Sequence, residues 1–121
     1  PPRTGGAVNE THPALALVLY GSGSGVLLER LASTGADVIA LDVTVDMADA
    51  RARLGADQAV QGNMDPVHLF AKKEFIVDKV HDTIKKAGNK KHVMNLGHGV
   101  MQGTPEENVA TFFQTVRDYR Y

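Results

Sequence analysis

A parallel α/β fold of four strand–loop–helix units is predicted by three features of the sequence. Apolar runs recur at 14–20, 36–41, 58–61 and 92–95, each closing on glycine or a polar residue. Each run is followed by a segment with helical spacing or helix-capping chemistry. The first run is continuously apolar rather than alternating, the pattern of a parallel strand covered on both faces.

Residues 1–13, with three prolines and two glycines, read as an irregular lead-in, and residues 14–121 as the folded unit. The chain opens on Pro1-Pro2 without a methionine, which processing or excision from a longer chain would explain. Ala14 to Tyr20 forms the first strand. The loop Gly21-Ser22-Gly23-Ser24-Gly25 then leads to a helix over Val26–Ser33 with Gly35 as its stop. Ala36 to Leu41 is the second strand, ending at Asp42; Asp46 caps a helix that runs through Arg53 and stops at Gly55. Gln58–Gln61 is a shorter strand closed by Gly62-Asn63. Asp65-Pro66 begins a helical turn carrying Val67, Leu69 and Phe70, and a longer helix follows over 73–87, with Phe75, Ile76, Val80 and Ile84 on one side and Gly88 beyond. The fourth strand is His92–Asn95. Its helix carries a capping box, with Thr104 as N-cap, Pro105 at the first position and Glu107 reaching back; Val109, Phe112, Phe113 and Val116 follow at helical spacing.

Composition narrows the function. The 121 residues carry a net charge of −1, with 43% hydrophobic and 22% charged residues, enough for one domain with its own core. The charge balance gives no footprint for nucleic acid, and the lysine pairs at 72–73, 85–86 and 90–91 read as solvated helix faces and ends. No apolar run reaches the ~20 residues of a membrane helix. With no cysteine, disulfides, thiolate nucleophiles and cysteine-bound metals are excluded.

Two architectures fit the alternation: an open doubly wound sheet and a segment of a (β/α)8 barrel. In both, ligands sit beyond the carboxyl ends of the strands. Tyr20-Gly21-Ser22, Asp42, Gln61-Gly62-Asn63 and Asn95 to Gly99 therefore share one rim. Within the last stretch, His98 stands between Gly97 and Gly99, glycines that allow positive φ or the close approach of a ligand. Histidine is the side chain type best suited to exchange a proton near neutral pH. The competing reading is a loop histidine that caps a carbonyl in a glycine turn. The Gly21–Gly25 loop with Asp42 offers a dinucleotide site, but the third glycine of G-x-G-x-x-G belongs at position 26, where Val26 stands. Asp42 is open to a catalytic or ribose-binding role but reads first as a strand-end residue bonded to the following loop, Asp65 as a cap, Asn63 as a turn residue, and Tyr20 as either a wall or hydroxyl of a rim pocket or a partly buried core residue. His68 and His81 lack partners at metal-ligand spacing; His12 and His92 carry no signal.

Taken together, Tyr20-Gly21-Ser22-Gly23-Ser24-Gly25, Leu41-Asp42-Val43-Thr44-Val45-Asp46-Met47-Ala48, Gln61-Gly62-Asn63-Met64-Asp65-Pro66 and Asn95-Leu96-Gly97-His98-Gly99 resemble the uroporphyrinogen decarboxylase family in order and spacing. The resemblance runs from about Leu15 to Tyr121, and the ending Gly103-Thr104-Pro105-Glu106-Glu107-Asn108-Val109 is most similar to plant, algal and cyanobacterial members.

That resemblance implies the C-terminal half of a (β/α)8 TIM barrel, incomplete without an N-terminal half. It implies a homodimer without cofactor that converts uroporphyrinogen III to coproporphyrinogen III by decarboxylating four acetate side chains. It places His98 at the family's active-site histidine, with Gly97 and Gly99 shaping the substrate-binding loop and no metal. The arginine-rich segment, the pyrrole-gathering aspartate and the tyrosine of the family match nothing here. The family's usual tryptophan after the second-strand aspartate is Val43 in this chain, which implies a reshaped pocket wall. The alternative is a non-catalytic scaffold or interaction module derived from the enzyme. In either case two open strand edges call for a partner, the N-terminal half or another protein. Similarity to plant and algal members points to the plastid stroma, with the cytoplasm as the alternative.

Overall fold

In the computed structural model, which describes residues 11–21 and 24–120, the four apolar runs become strands β1 (Val18–Tyr20), β2 (Val38–Ala40), β3 (Ala59–Gln61) and β4 (His92–Val93). Four α-helices follow them in turn: α1 (Leu28–Ser33), α2 (Met47–Leu54), α3 (Lys73–Lys86) and α4 (Glu106–Asp118). A 3-10 turn, Pro66–Phe70, precedes α3. The sheet is parallel throughout, in the order β1-β2-β3-β4. Right-handed crossovers between successive neighbours carry every helix to the same side. A doubly wound sheet reverses strand order partway; this one does not. The arrangement is that of half a (β/α)8 barrel.

Register separates the two faces of the sheet. Leu19, Ile39, Val60 and His92 occupy the face toward the helices, where Ile39 and Val60 are fully buried with Leu28, Leu41, Met47 and Ala50. A second cluster joins Met64, Leu69, Ile76, Val80 and Ile84 to Phe112 of α4. The opposite face carries Val18, Tyr20, Ala40, Gln61 and Val93. There Val18 is 53%, Tyr20 48% and Val93 50% exposed. The continuous apolarity of the first run predicts burial on both faces, and in this chain only the helix side of β1 is covered. β1 is also three residues long rather than seven, and Leu15 lies exposed before it.

Helix ends follow the sequence in part. The Asp46 carboxylate accepts from the Asp49 backbone N–H at 3.0 Å, and Gly55 ends α2 at φ 87°, a conformation that glycine adopts without strain. Asp65 caps the 3-10 turn by accepting from Val67 N–H at 3.0 Å. The capping box at α4 does not form: the N-cap is Pro105, and the Thr104 hydroxyl donates instead to Met101 O at 2.5 Å. That turn, closed also by Thr104 N–H on Met101 O, takes the hydroxyl away from the helix amides. Phe113 departs as well. The buried stripe of α4 is rotated toward Asn108 and Thr115, so Phe112 packs inward while Phe113 stays 57% exposed.

Two arginines fasten the units. Arg53 reaches from α2 to α1, its Nε and Nη2 donating to the two Glu29 oxygens at 2.7 Å each, which holds the Glu29 carboxyl down at about 2. Arg51 lies at the end of the sheet opposite the rim. It donates to the carbonyls of Ala87 (2.8 Å), Gly55 (3.0 Å), Gln58 (2.6 Å), Lys90 (3.0 Å) and Lys91 (3.1 Å), with Ala56 at 3.5 Å.

His92 is a half-buried structural histidine. Its Nε2–H donates to Gly62 O at 2.7 Å, while Nδ1 is buried without a partner, which fits the neutral ring. Burial, with Arg51 adding repulsion, pushes its pKa below the ordinary 6.5. Below that pH the unfolded chain takes up a proton that the folded chain refuses, so stability falls as pH drops from 6.5 toward the folded value. The His92→Gln variant is therefore expected to flatten this acid limb in urea titrations; an unchanged slope would assign the limb to other groups.

Candidate functional site

The carboxyl ends of the strands gather as the register requires. A cavity of about 460 Å³ opens on the inner face of the sheet. Its apolar floor is Val18, Ala40, Leu41 and Leu96, and its polar groups are Tyr20, Gln61, Asn95 and His98, with Gly97 and Gly99 on the rim. No charged carboxylate, lysine or arginine side chain lines it among the described residues. Such a cavity accepts a large apolar body and offers it neutral donors and acceptors; ionic clamps for an anionic ligand have to come from elsewhere.

His98 is exposed, and its Nδ1 lies 3.2 Å from Gly99 O. With Nδ1–H as the donor, the neutral ring presents the Nε2 lone pair, an acceptor that becomes a donor on protonation. This contact is the carbonyl-capping role that the sequence sets against catalysis, and it leaves the second nitrogen for a ligand.

The two flanking glycines differ. Neither has positive φ. A Cβ on Gly97 would lie 2.8 Å from Val43 N and 3.2 Å from Asp42 C, and nearer still to Val43 Cγ1, whereas one on Gly99 would meet open space. Gly97 is thus required by close approach, and the approaching group is this chain's own β2–α2 loop rather than a ligand. Backbone bonds fix the level of the loop: Gly97 N–H donates to Met64 O at 2.9 Å, and Met64 N–H to Asn95 O at 3.2 Å. The Asn95 side chain accepts from Leu96 N–H at 2.8 Å.

Asp42 is buried and serves its own loop, accepting from Thr44 N–H at 3.0 Å and from the Thr44 hydroxyl at 2.6 Å. Asn63, read from sequence as a turn residue, is 8% exposed and donates from Nδ2 to Asp42 O at 2.8 Å and Val45 O at 2.5 Å. The only signal for it is its place after Gly62, where a local reading favours a turn. Ser22 and Gly23 of the glycine loop lie outside the described residues. No group of three or more His, Asp or Glu able to hold a metal occurs among the described residues, and no helix among them is long and apolar enough to cross a membrane.

The family model for uroporphyrinogen decarboxylase matches residues 3–119. Over 115 residues the chain is 64% identical to uroporphyrinogen decarboxylase 2, chloroplastic, of Arabidopsis thaliana, covering 95% of this chain and 29% of the relative. Over 114 residues it is 55% identical to uroporphyrinogen decarboxylase of Nostoc punctiforme, covering 94% of this chain and 32% of that one. A methyltransferase from Methanosarcina mazei shares the fold, with a TM-score of 0.74 at 16% identity over 87% of this chain and 32% of its own. The chain therefore spans about three tenths of the length of the relatives it matches.

Proposed function

The chain belongs to the uroporphyrinogen decarboxylase family, and from that premise we propose that it supplies the last four β/α units of an enzyme converting uroporphyrinogen III to coproporphyrinogen III. The observation that carries the reading is His98, standing at the carboxyl-end rim above an uncharged, largely apolar cavity on the inner face of the sheet. Each acetate side chain loses carbon dioxide, and the electron pair left behind passes into a pyrrole protonated at ring carbon. Return of the ring proton and delivery of a proton to the side-chain methylene complete the exchange. A ring nitrogen at the rim can hold or donate a proton beside the macrocycle, and the apolar floor suits the macrocycle's body. The substrate's carboxylates need cations, which this cavity lacks, so the rest of the barrel supplies them.

The same observations define the partner. Val18, Tyr20 and Val93 are half exposed on a face that becomes barrel interior once four further strands close it. The β1 and β4 edges pair with the N-terminal half, and the complete barrel forms a homodimer. The chloroplastic relatives from Arabidopsis thaliana and Zea mays favour the plastid stroma as the compartment.

The test uses this chain, the N-terminal part of the Arabidopsis relative, and the two joined in one polypeptide. Coproporphyrinogen is expected from the joined protein and from neither piece alone. A well-folded joined protein without turnover would sink the enzymatic reading in favour of a non-catalytic scaffold. In the joined protein His98→Asn is expected to lower kcat at least about tenfold, the low end of what positioned proton-transfer groups contribute, with unfolding midpoints unchanged.

A further inference from the structure

We propose that Asn63 is a positioning residue for His98, acting through the β2–α2 loop on which the His98 loop rests; the inference builds on the functional reading of His98 above. Three observations converge. The Asn63 side chain is buried and spends both hydrogens of its amide on the β2–α2 loop, at Asp42 O (2.8 Å) and Val45 O (2.5 Å). Gly97 lies directly against that loop: a Cβ there would sit 2.8 Å from Val43 N. Gly97 N–H is in turn held at 2.9 Å by the carbonyl of Met64, the residue after Asn63.

Asn63 thus joins the two loops from both sides. Its side chain fixes the height of the 42–45 loop, and the backbone beside it fixes the height of Gly97 over that loop. Backbone stacked on backbone transmits position more stiffly than side-chain contact, because no rotamer change can absorb a shift. Replacing the amide with an apolar group removes the Asn63 donor from Val45 O and from Asp42 O, the latter keeping the longer 3.3 Å bond from Val45 N–H. Buried carbonyls stripped in this way draw the loop toward other donors. As the loop moves, Gly97 moves with it, and His98 leaves its place on the rim. Misplacing a reacting group by about 1 Å costs on the order of a hundredfold in rate.

The discriminating experiment is a double-mutant cycle in the joined protein, with Asn63→Leu and His98→Asn alone and together, reading kcat and KM separately on protein corrected for its folded fraction. Asn63→Leu alone is expected to lower kcat by about ten- to a hundredfold with KM changed much less. On the His98→Asn background the same substitution is expected to change kcat less than about twofold, because the group it positions is already gone. Equal losses in both backgrounds, with His98→Asn itself impaired, would overturn the positioning role and leave Asn63 a stability residue. Full turnover in His98→Asn alone would overturn both this inference and the site assignment beneath it. Should Asn63→Leu fail to fold, Asn63→Ser, which leaves room for water to satisfy the two carbonyls, is carried through the same cycle with the same expectations.

Discussion

Gly97→Ala is expected to destabilise the joined protein by about 1–3 kcal/mol, the usual cost of forcing an extra methyl into a packed site, and to lower its turnover far more than Gly99→Ala does. The added carbon would lie 2.8 Å from Val43 N and 3.2 Å from Asp42 C. Both are backbone atoms of a loop held by Asn63 and by the Asp42–Thr44 bonds, so neither can step aside cheaply. Val43→Gly added to Gly97→Ala removes the side-chain part of the collision and leaves the backbone part, so recovery should be partial in both unfolding midpoint and kcat. Full recovery would reduce the contact to a matter of the Val43 side chain. Gly99→Ala is the control: with open space around its Cβ, it should cost little.

Arg51→Lys is expected to lose about 3 kcal/mol or more in urea unfolding, and Arg51→Met at least as much. One planar guanidinium supplies the C-cap of α3 from Nε and the segments before β3 and β4 from its two Nη branches. Hydrogen bonds from a charged donor contribute roughly 1.5–3 kcal/mol each, and a lysine ammonium, a single point on a flexible stem, cannot occupy both branches. Burial lowers the pKa of Arg51 from the ordinary guanidinium range, yet the side chain remains charged at neutral pH and is compensated by carbonyl dipoles alone among the bonds described. A loss below about 1 kcal/mol for Arg51→Lys would mean that these carbonyls find water at little cost.

What the sequence made legible was local. The Asp46 and Asp65 caps and the Gly55 stop depend on residues within one turn of each other and lie where their spacing predicts, and the four strands form inside the four apolar runs, each shorter than its run. The ordered rim was legible too, since parallel β/α alternation places all strand ends together. The connections that give the rim its shape span distances along the chain that no local pattern encodes. Asn63 reaches back 21 residues to Asp42, His92 reaches 30 to Gly62, and Arg51 reaches 40 to Lys91. An asparagine after a glycine is a turn residue by local chemistry; only the packing of β2 beside β3 turns it into a buried clamp. The capping box failed for a related reason. Thr104 satisfies the S/T-x-x-E pattern, but the preceding turn offers Met101 O to its hydroxyl first. Exposure on the inner face was also illegible: the continuous apolarity of the first run reads as burial on both faces, whereas Val18 and Tyr20 are about half exposed.

The most direct measurement is turnover by the joined protein in which this chain replaces the matching C-terminal segment of the Arabidopsis relative. The account predicts that uroporphyrinogen III is carried through all four decarboxylations, with kcat/KM within about tenfold of the unaltered relative, and that His98→Asn in this chain removes most of that gain. A joined protein that folds, closes its barrel and binds the porphyrinogen yet releases no carbon dioxide would contradict it.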